Sequence, residues 1–432
     1  MARKSTTPVN ASEHLILSLV TDHYLKSEFN GLSCSVVQRV MELGDRELRR
    51  AVRSLIADGM LDINFGQNFG NIAIRAWSLG SIEMQLQKFD ASETMDFILY
   101  PALSHLKRAA SRKFRGQSFT RELAFGRGQL EPEFFDVSVL EFYRNDPRYY
   151  YRCNSVSGQI SVSDAFYASS AMAESDKVLL QTFGFGFDDQ MNRYVAAYLI
   201  YLSRLSPEHQ RIWNAKRITV PCTLHPDYYS STIRGWWPEK VIIFDAFRRE
   251  LRHINRICVL LGWRPLFKRD FVEEGLRDFC FLLRPTLKEF DGFIHLLDKM
   301  ISDNIDPQFF VGKVELETEK ERRKDGKVIV TKKATLSLLN DWLLDAGDWN
   351  PETANIVKRI MAPLREVRTM RRRPAHAIDE NVFDQSYLKQ QRELMVRIYD
   401  SVQSIRQIFY SHPNVQGYEV ESMLLDGKIR TF

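Results

Sequence analysis

Residues 45–65 read DRELRRAVRSLIADGMLDINF, and the fold of the N-terminal part of the chain turns on them. Asp45 is a helix-capping residue and Gly59 a helix terminator, so the spacing predicts a helix from Asp45 to Asp58. Leu48, Val52, Leu55 and Ile56 form its apolar stripe. Arg46, Arg49, Arg50 and Arg53 fall at i, i+3, i+4 and i+7 and make a second, cationic face. Upstream, Ser12 caps a helix running to about Lys26, with Leu15, Leu19, His23 and Tyr24 near one face. Gly31 breaks the chain, and a short helix spans about Ser35–Glu42 before a tight turn at Gly44. Downstream, Met60–Phe65 and Ile72–Trp77 alternate like two strands joined by a turn at Gly66–Asn71.

Helix, helix–turn–helix, hairpin is the order of a winged-helix domain, and residues 1–77 resemble that family. The third helix of a helix–turn–helix enters the major groove, where arginines meet phosphates and guanine edges. The resemblance therefore implies nucleic-acid contact through Arg46, Arg49, Arg50 and Arg53. The alternative is a solvated helix face in a domain that binds protein, because fold does not fix function.

The chain has 432 residues, enough for about three ordinary domains. Its 44% hydrophobic, 12% aromatic and 27% charged residues exclude a disordered polyelectrolyte, a collagen-like repeat and a small disulfide scaffold. A net charge of +5 is too small to name a partner. Cys34, Cys153, Cys222, Cys258 and Cys280 are scattered and contain no CxxC pair, which fits a reducing cytoplasm. No continuous apolar run is long enough to cross a membrane, and Leu15–Val20 is too short for a signal-peptide core. Asp22/His23, His225/Asp227 and His253/Asn255 lack a third ligand, and GxxxxGK[ST] is absent, so neither a metal nor a nucleotide cofactor is expected. Trp236–Trp237 and Tyr149–Tyr151 have the chemistry to stack bases, with burial the simpler account.

Residues 78–190 read as a mixed α/β region, with strands around 137–143, 149–153 and 159–162. The GFGF within 179–187 lacks the spacing of a dinucleotide loop and suits a closely packed strand. Residues 191–284 read as helical, with helices at 189–205, 207–215 and 239–262. In 285–432, helices at 285–303, 335–346, 351–373 and 384–411 suffice for a four-helix bundle. A charged insertion, 313–334, interrupts them and carries a hairpin signal at Lys324–Gly326 between Val314–Leu316 and Val328–Val330. The expected fold class is mainly α (α+β): an N-terminal winged helix, a mixed middle and a C-terminal four-helix bundle.

Residues 364–381 read LREVRTMRRRPAHAIDEN. An arginine precedes a histidine by five or six positions at Arg204/His209, Arg248/His253, Arg371/His376 and Arg406/His412, so spacing alone selects none of them. Residues five apart on a straight helix diverge by about 140°. At Arg371/His376 the intervening Pro374 can end the helix. Arg365, Arg368, Arg371, Arg372 and Arg373 there face only Glu366, a concentration suited to a phosphate. Asp379, Glu380 and Asn381 would orient the histidine or cap the next helix.

Arg371 and His376 in a helical setting resemble the R-x4–6-H motif of HEPN ribonucleases. Arg372 directly after the arginine, and a proline inside the motif, depart from the family pattern. The resemblance implies metal-independent RNA cleavage at a homodimer interface, with Arg371 and His376 catalytic and Arg368 and Arg372 binding phosphates. It also implies a bacterial defence or toxin role. The opposing reading is a non-enzymatic DNA-binding regulator or adaptor subunit within a protein complex.

Overall fold

The computed structural model describes residues 11–64, 71–75, 79–109, 114–237, 239–272, 276–321, 328–346, 351–372 and 380–431. Helix occupies 52% and strand 15% of the described residues, so the chain is α+β and mainly α. It divides into two compact units, Met1–Tyr151 with Val156–Pro238, and Arg152–Ser155 with Glu239–Phe432.

The first unit opens with α1 (Ala11–Lys26), β1 (Leu32–Ser33), α2 (Cys34–Met41) and α3 (Asp45–Ala57). Ser33 caps α2 by accepting the Ser35 amide, whereas Gly44 occupies the capping position of α3 and Asp45 lies in its first turn. Then come β2 (Leu61–Asn64), α4 (Ile82–Ala91) and β3 (Ile98–Pro101). The antiparallel sheet runs β1-β3-β2, with Ile63 opposite Leu99. Ile16, Val20, Leu48, Val52, Leu55, Ile56 and Leu99 share its core.

The second strand expected at Ile72–Trp77 is replaced by Ile98–Pro101, with a helix inserted before it. Ile72 is exposed and Ile72–Ile74 make a turn, while residues 65–70 and 76–77 lie outside the described residues. Ile98-Leu-Tyr-Pro101 is buried throughout, and a strand covered on both sides carries no two-residue period to read.

The unit continues through α5 (Leu103–Ala109), α6 (Ser118–Ala124), β4 (Pro132–Phe135), α7 (Glu141–Arg144), β5 (Tyr149–Cys153), β6 (Ser157–Val162) and α8 (Asp164–Tyr167). It ends with β7 (Leu179–Phe187), β8 (Arg193–Tyr198), α9 (Leu199–Ser203), α10 (Pro207–Ala215), β9 (Thr223–Leu224) and α11 (Pro226–Ile233). Six of these strands form one sheet in the order β4-β8-β7-β6-β5, with β9 also on β7. The glycines of β7 have a steric cause. A Cβ on Gly184 would lie 2.2 Å from the Tyr228 ring, and one on Gly186 would lie 2.3 Å from Phe134.

Two further expectations fail in this unit. Residues 137–144 are short helical turns, not a strand. The helix expected over 189–205 is β8 followed by α9, because the buried run Val195–Tyr198 reads alike as helix or as covered strand.

The second unit contains β10 (Val241–Ile242), α12 (Ile243–Leu260), α13 (Leu287–Ile301), β11 (Glu317–Glu321), β12 (Val328–Lys332), α14 (Thr335–Ala346), α15 (Pro351–Arg372), α16 (Ser386–Tyr410), α17 (Ser422–Leu425) and β13 (Ile429–Arg430). β10 pairs in parallel with β13. The charged insertion forms the β11–β12 hairpin, whose first strand is Glu317–Glu321 instead of 314–316. α15 packs against α13, α14 and α16, and α16 also packs against α12. Between α12 and α16, Arg406 Nε donates to Glu250 Oε2 at 2.6 Å, with both side chains buried.

Candidate functional site

The C-terminal part of α15 presents Arg368 and Arg371, three positions apart and so on one side of the helix. They meet two carboxylates from α13 and the turn after it. Arg368 Nη1 donates to Asp298 at 2.7 Å and to Asp303 at 3.1 Å. Arg371 Nη1 donates to Asp303 at 2.8 Å and also to Asp298 Oδ2. Asp298 is completely buried. Its other oxygen, Oδ1, and the neighbouring buried Ser302 Oγ have no hydrogen-bond partner among the described residues.

Both arginines spend only Nη1 on these carboxylates. The Nε–Nη2 edge of each, the edge that grips a carboxylate or phosphate side-on, makes no hydrogen bond among the described residues. The hydrogen bonds to Asp298 and then Asp303 raise the Arg371 pKa above its ordinary value. Burial acts against ionisation of Asp303, but the Arg371 hydrogen bond and the two guanidinium charges hold its carboxyl below the usual range. Exposed His295 lies one turn before Asp298, and partial burial followed by the charges of Lys299 and Arg371 lowers its pKa. Arg372 is exposed, and Arg365 donates to Asn340 at 2.8 Å.

His376, Pro374 and Asp379 lie outside the described residues. The chain re-enters at the other end of α13, where Asn381 Oδ1 accepts the Lys288 amide at 3.0 Å and Val382 O accepts that of Leu287 at 2.8 Å. Arg371 is thus anchored near the C-terminal end of α13, and Asn381 at its N-terminus.

The arginine face of α3 is divided. Arg49 Nη2 donates to Phe89 O at 2.7 Å and to Ser92 O, and its guanidinium lies over the Phe89 ring. Arg53 grips Asp90 with two bonds of 2.9 Å. Both are taken up by α4 and the residue that ends it. Arg46 and Arg50 are exposed, with no hydrogen bond or ion pair to the described residues.

In the other three Arg/His pairs the two members serve separate partners. Arg204 binds Glu28 and Gln181, while buried His209 meets Tyr143 Oη at 2.8 Å and Asp176 at 3.4 Å. Arg248 pairs with Asp245, and buried His253 meets Tyr418 Oη at 2.7 Å. Arg406 is buried on Glu250. His412 caps the turn after α16 through the Asn414 amide and packs edge-on against Trp263.

Asp298 and Asp303 could not be picked out from the sequence. They stand 65 to 73 residues from their arginines, and nothing in the motif points to them. No group of three candidate metal ligands occurs among the described residues, and no described helix is long and apolar enough to cross a membrane. No family model, curated protein or solved structure matches this chain.

Proposed function

We propose that the end of α15 is an RNA-cleaving site of the HEPN type that works without metal, in a defence or toxin role. The observation that carries this reading is that the Nε–Nη2 edges of Arg368 and Arg371 make no hydrogen bond among the described residues while Nη1 of each is fixed by Asp298 and Asp303. A guanidinium held by one nitrogen is positioned before a phosphate arrives, so less ordering is needed on binding.

In the proposed reaction His376 removes the proton from a ribose 2′-hydroxyl. The oxygen attacks the adjacent phosphorus, and the bond to the 5′-oxygen breaks as that oxygen takes up a proton. The products are a 2′,3′-cyclic phosphate and a 5′-hydroxyl. Arg371 stabilises the charge that develops on the phosphoryl oxygens, and Arg368 and Arg372 bind neighbouring phosphates. A second copy of the chain would bring two such sites together.

The test is cleavage of labelled RNA in the presence of chelator. Wild type cuts, and His376→Ala and Arg371→Ala each lose about a hundredfold or more. No cutting by wild type, or full cutting by His376→Ala, overturns the reading.

The regulator reading draws on exposed Arg46 and Arg50, which make no hydrogen bond or ion pair with the described residues. It predicts duplex binding that Arg46→Ala with Arg50→Ala weakens, with a salt slope reduced by about two.

A further inference from the structure

Two tryptophans of the first unit stand in water. Trp236 is 67% and Trp237 81% exposed, whereas Trp213 is fully buried and Trp342 nearly so. They follow α11 on a fixed turn. The Arg234 and Trp236 amides both donate to Ser230 O, at 3.1 and 3.0 Å, and Gly235 between them takes a φ of +68° that an L residue rarely adopts.

The Arg234 guanidinium lies over both rings, 5.4 Å from the Tyr229 centroid and 5.5 Å from that of Trp236. Arg234 is exposed and makes no side-chain hydrogen bond or ion pair with the described residues. Expectation from sequence favoured burial for this tryptophan pair, and the structure places both side chains on the surface.

We infer that Tyr229, Arg234, Trp236 and Trp237 form a binding platform for single-stranded nucleic acid. Bases stack on the open indole faces, and a backbone phosphate takes the guanidinium donors. The chemistry selects this ligand over others. An apolar peptide would cover the indoles but leave the arginine donors unspent in a desolvated contact. A duplex keeps its base faces stacked inside, so it offers the indoles nothing to stack on. The inference does not rest on the cleavage reading, since these residues belong to the first unit and α15 to the second.

The test is fluorescence anisotropy of the full chain with labelled oligo(dT)20, which has no 2′-hydroxyl and so reports binding whether or not the protein cuts RNA. Trp236→Ala with Trp237→Ala weakens binding at least tenfold, as expected for the loss of one or two stacked bases. Arg234→Ala flattens the dependence of log K on log salt by about 0.7. Arg234→Lys restores the salt slope but not the full affinity, because an ammonium cannot stack as a planar fork does. Affinity of a 20-base-pair duplex is unchanged by the tryptophan pair. Far-UV circular dichroism of each variant matches wild type, because the altered side chains project into solvent. Unchanged oligo(dT)20 affinity in the tryptophan variant overturns the inference. So does a shift from dimer to monomer in sedimentation without loss of binding, which would assign the patch to self-association.

Discussion

Two arginine-rich helices look alike in sequence and meet their counter-charges differently. On α3, Arg53 faces Asp90 in an ion pair about half exposed on both sides, and Arg49 is satisfied by carbonyl oxygens at the end of α4. On α15, Arg368 and Arg371 converge on Asp298, which has no exposed surface. An exposed pair exchanges one set of good contacts for another in water and contributes little. A buried carboxylate has lost its water, and only its arginines compensate that loss. A cationic stripe therefore says where charge is, while the burial of the opposing group decides what the charge does.

The largest effect expected from breaking this contrast is at α15. Arg368→Ala with Arg371→Ala leaves Asp298 buried and uncompensated, and urea unfolding should show a loss of about 3–5 kcal/mol. Adding Asp298→Asn should recover much of it, since the residual cost is that of an unpaired charge. A double variant as stable as wild type would mean that Asp298 is not desolvated.

Next comes Arg49→Ala, which strands the Phe89 and Ser92 carbonyls and should cost about 1.5 kcal/mol in the same assay.

Acid titration separates the sites further. Asp303 has a folded pKa below its unfolded one, so its contribution is present above about pH 4 and disappears as pH falls through the folded value. Asp303→Asn should be less stable than wild type at pH 7, with the gap narrowing as pH falls below about 4. A constant gap would show that the deficit comes from packing.

The smallest effect belongs to Arg53→Ala, which should change the urea midpoint only slightly at low salt and not at all in 1 M salt.

What could be read from the sequence follows how local the cause was. α10 and α14 fall where their helical period puts them, at Pro207–Ala215 and Thr335–Ala346. The Gly184 and Gly186 strand was legible because a glycine pair implies a close neighbour, although nothing in it names Tyr228 or Phe134. β8 was misread because Val195–Tyr198 is covered on both sides and shows no alternation. The partner strand of β2 was misplaced for the same reason, aided by the chance alternation of Ile72–Trp77. At the candidate site, the helix carrying Arg371 is legible in the sequence, and His376 lies outside the described residues. The carboxylates were not legible, because a contact spanning some seventy residues leaves no mark on either segment. The exposure of Trp236 and Trp237 was missed because tryptophan composition argues for burial wherever no structure contradicts it.

The most direct measurement is the chemistry of the ends produced from RNA in chelator. Cleavage at the proposed site should leave 2′,3′-cyclic phosphate and 5′-hydroxyl termini, with no cutting at a position where a single 2′-deoxy nucleotide replaces the ribose. Cutting at the 2′-deoxy position, or 5′-phosphate ends, would contradict the proposal, because the nucleophile would then not be the substrate's own hydroxyl.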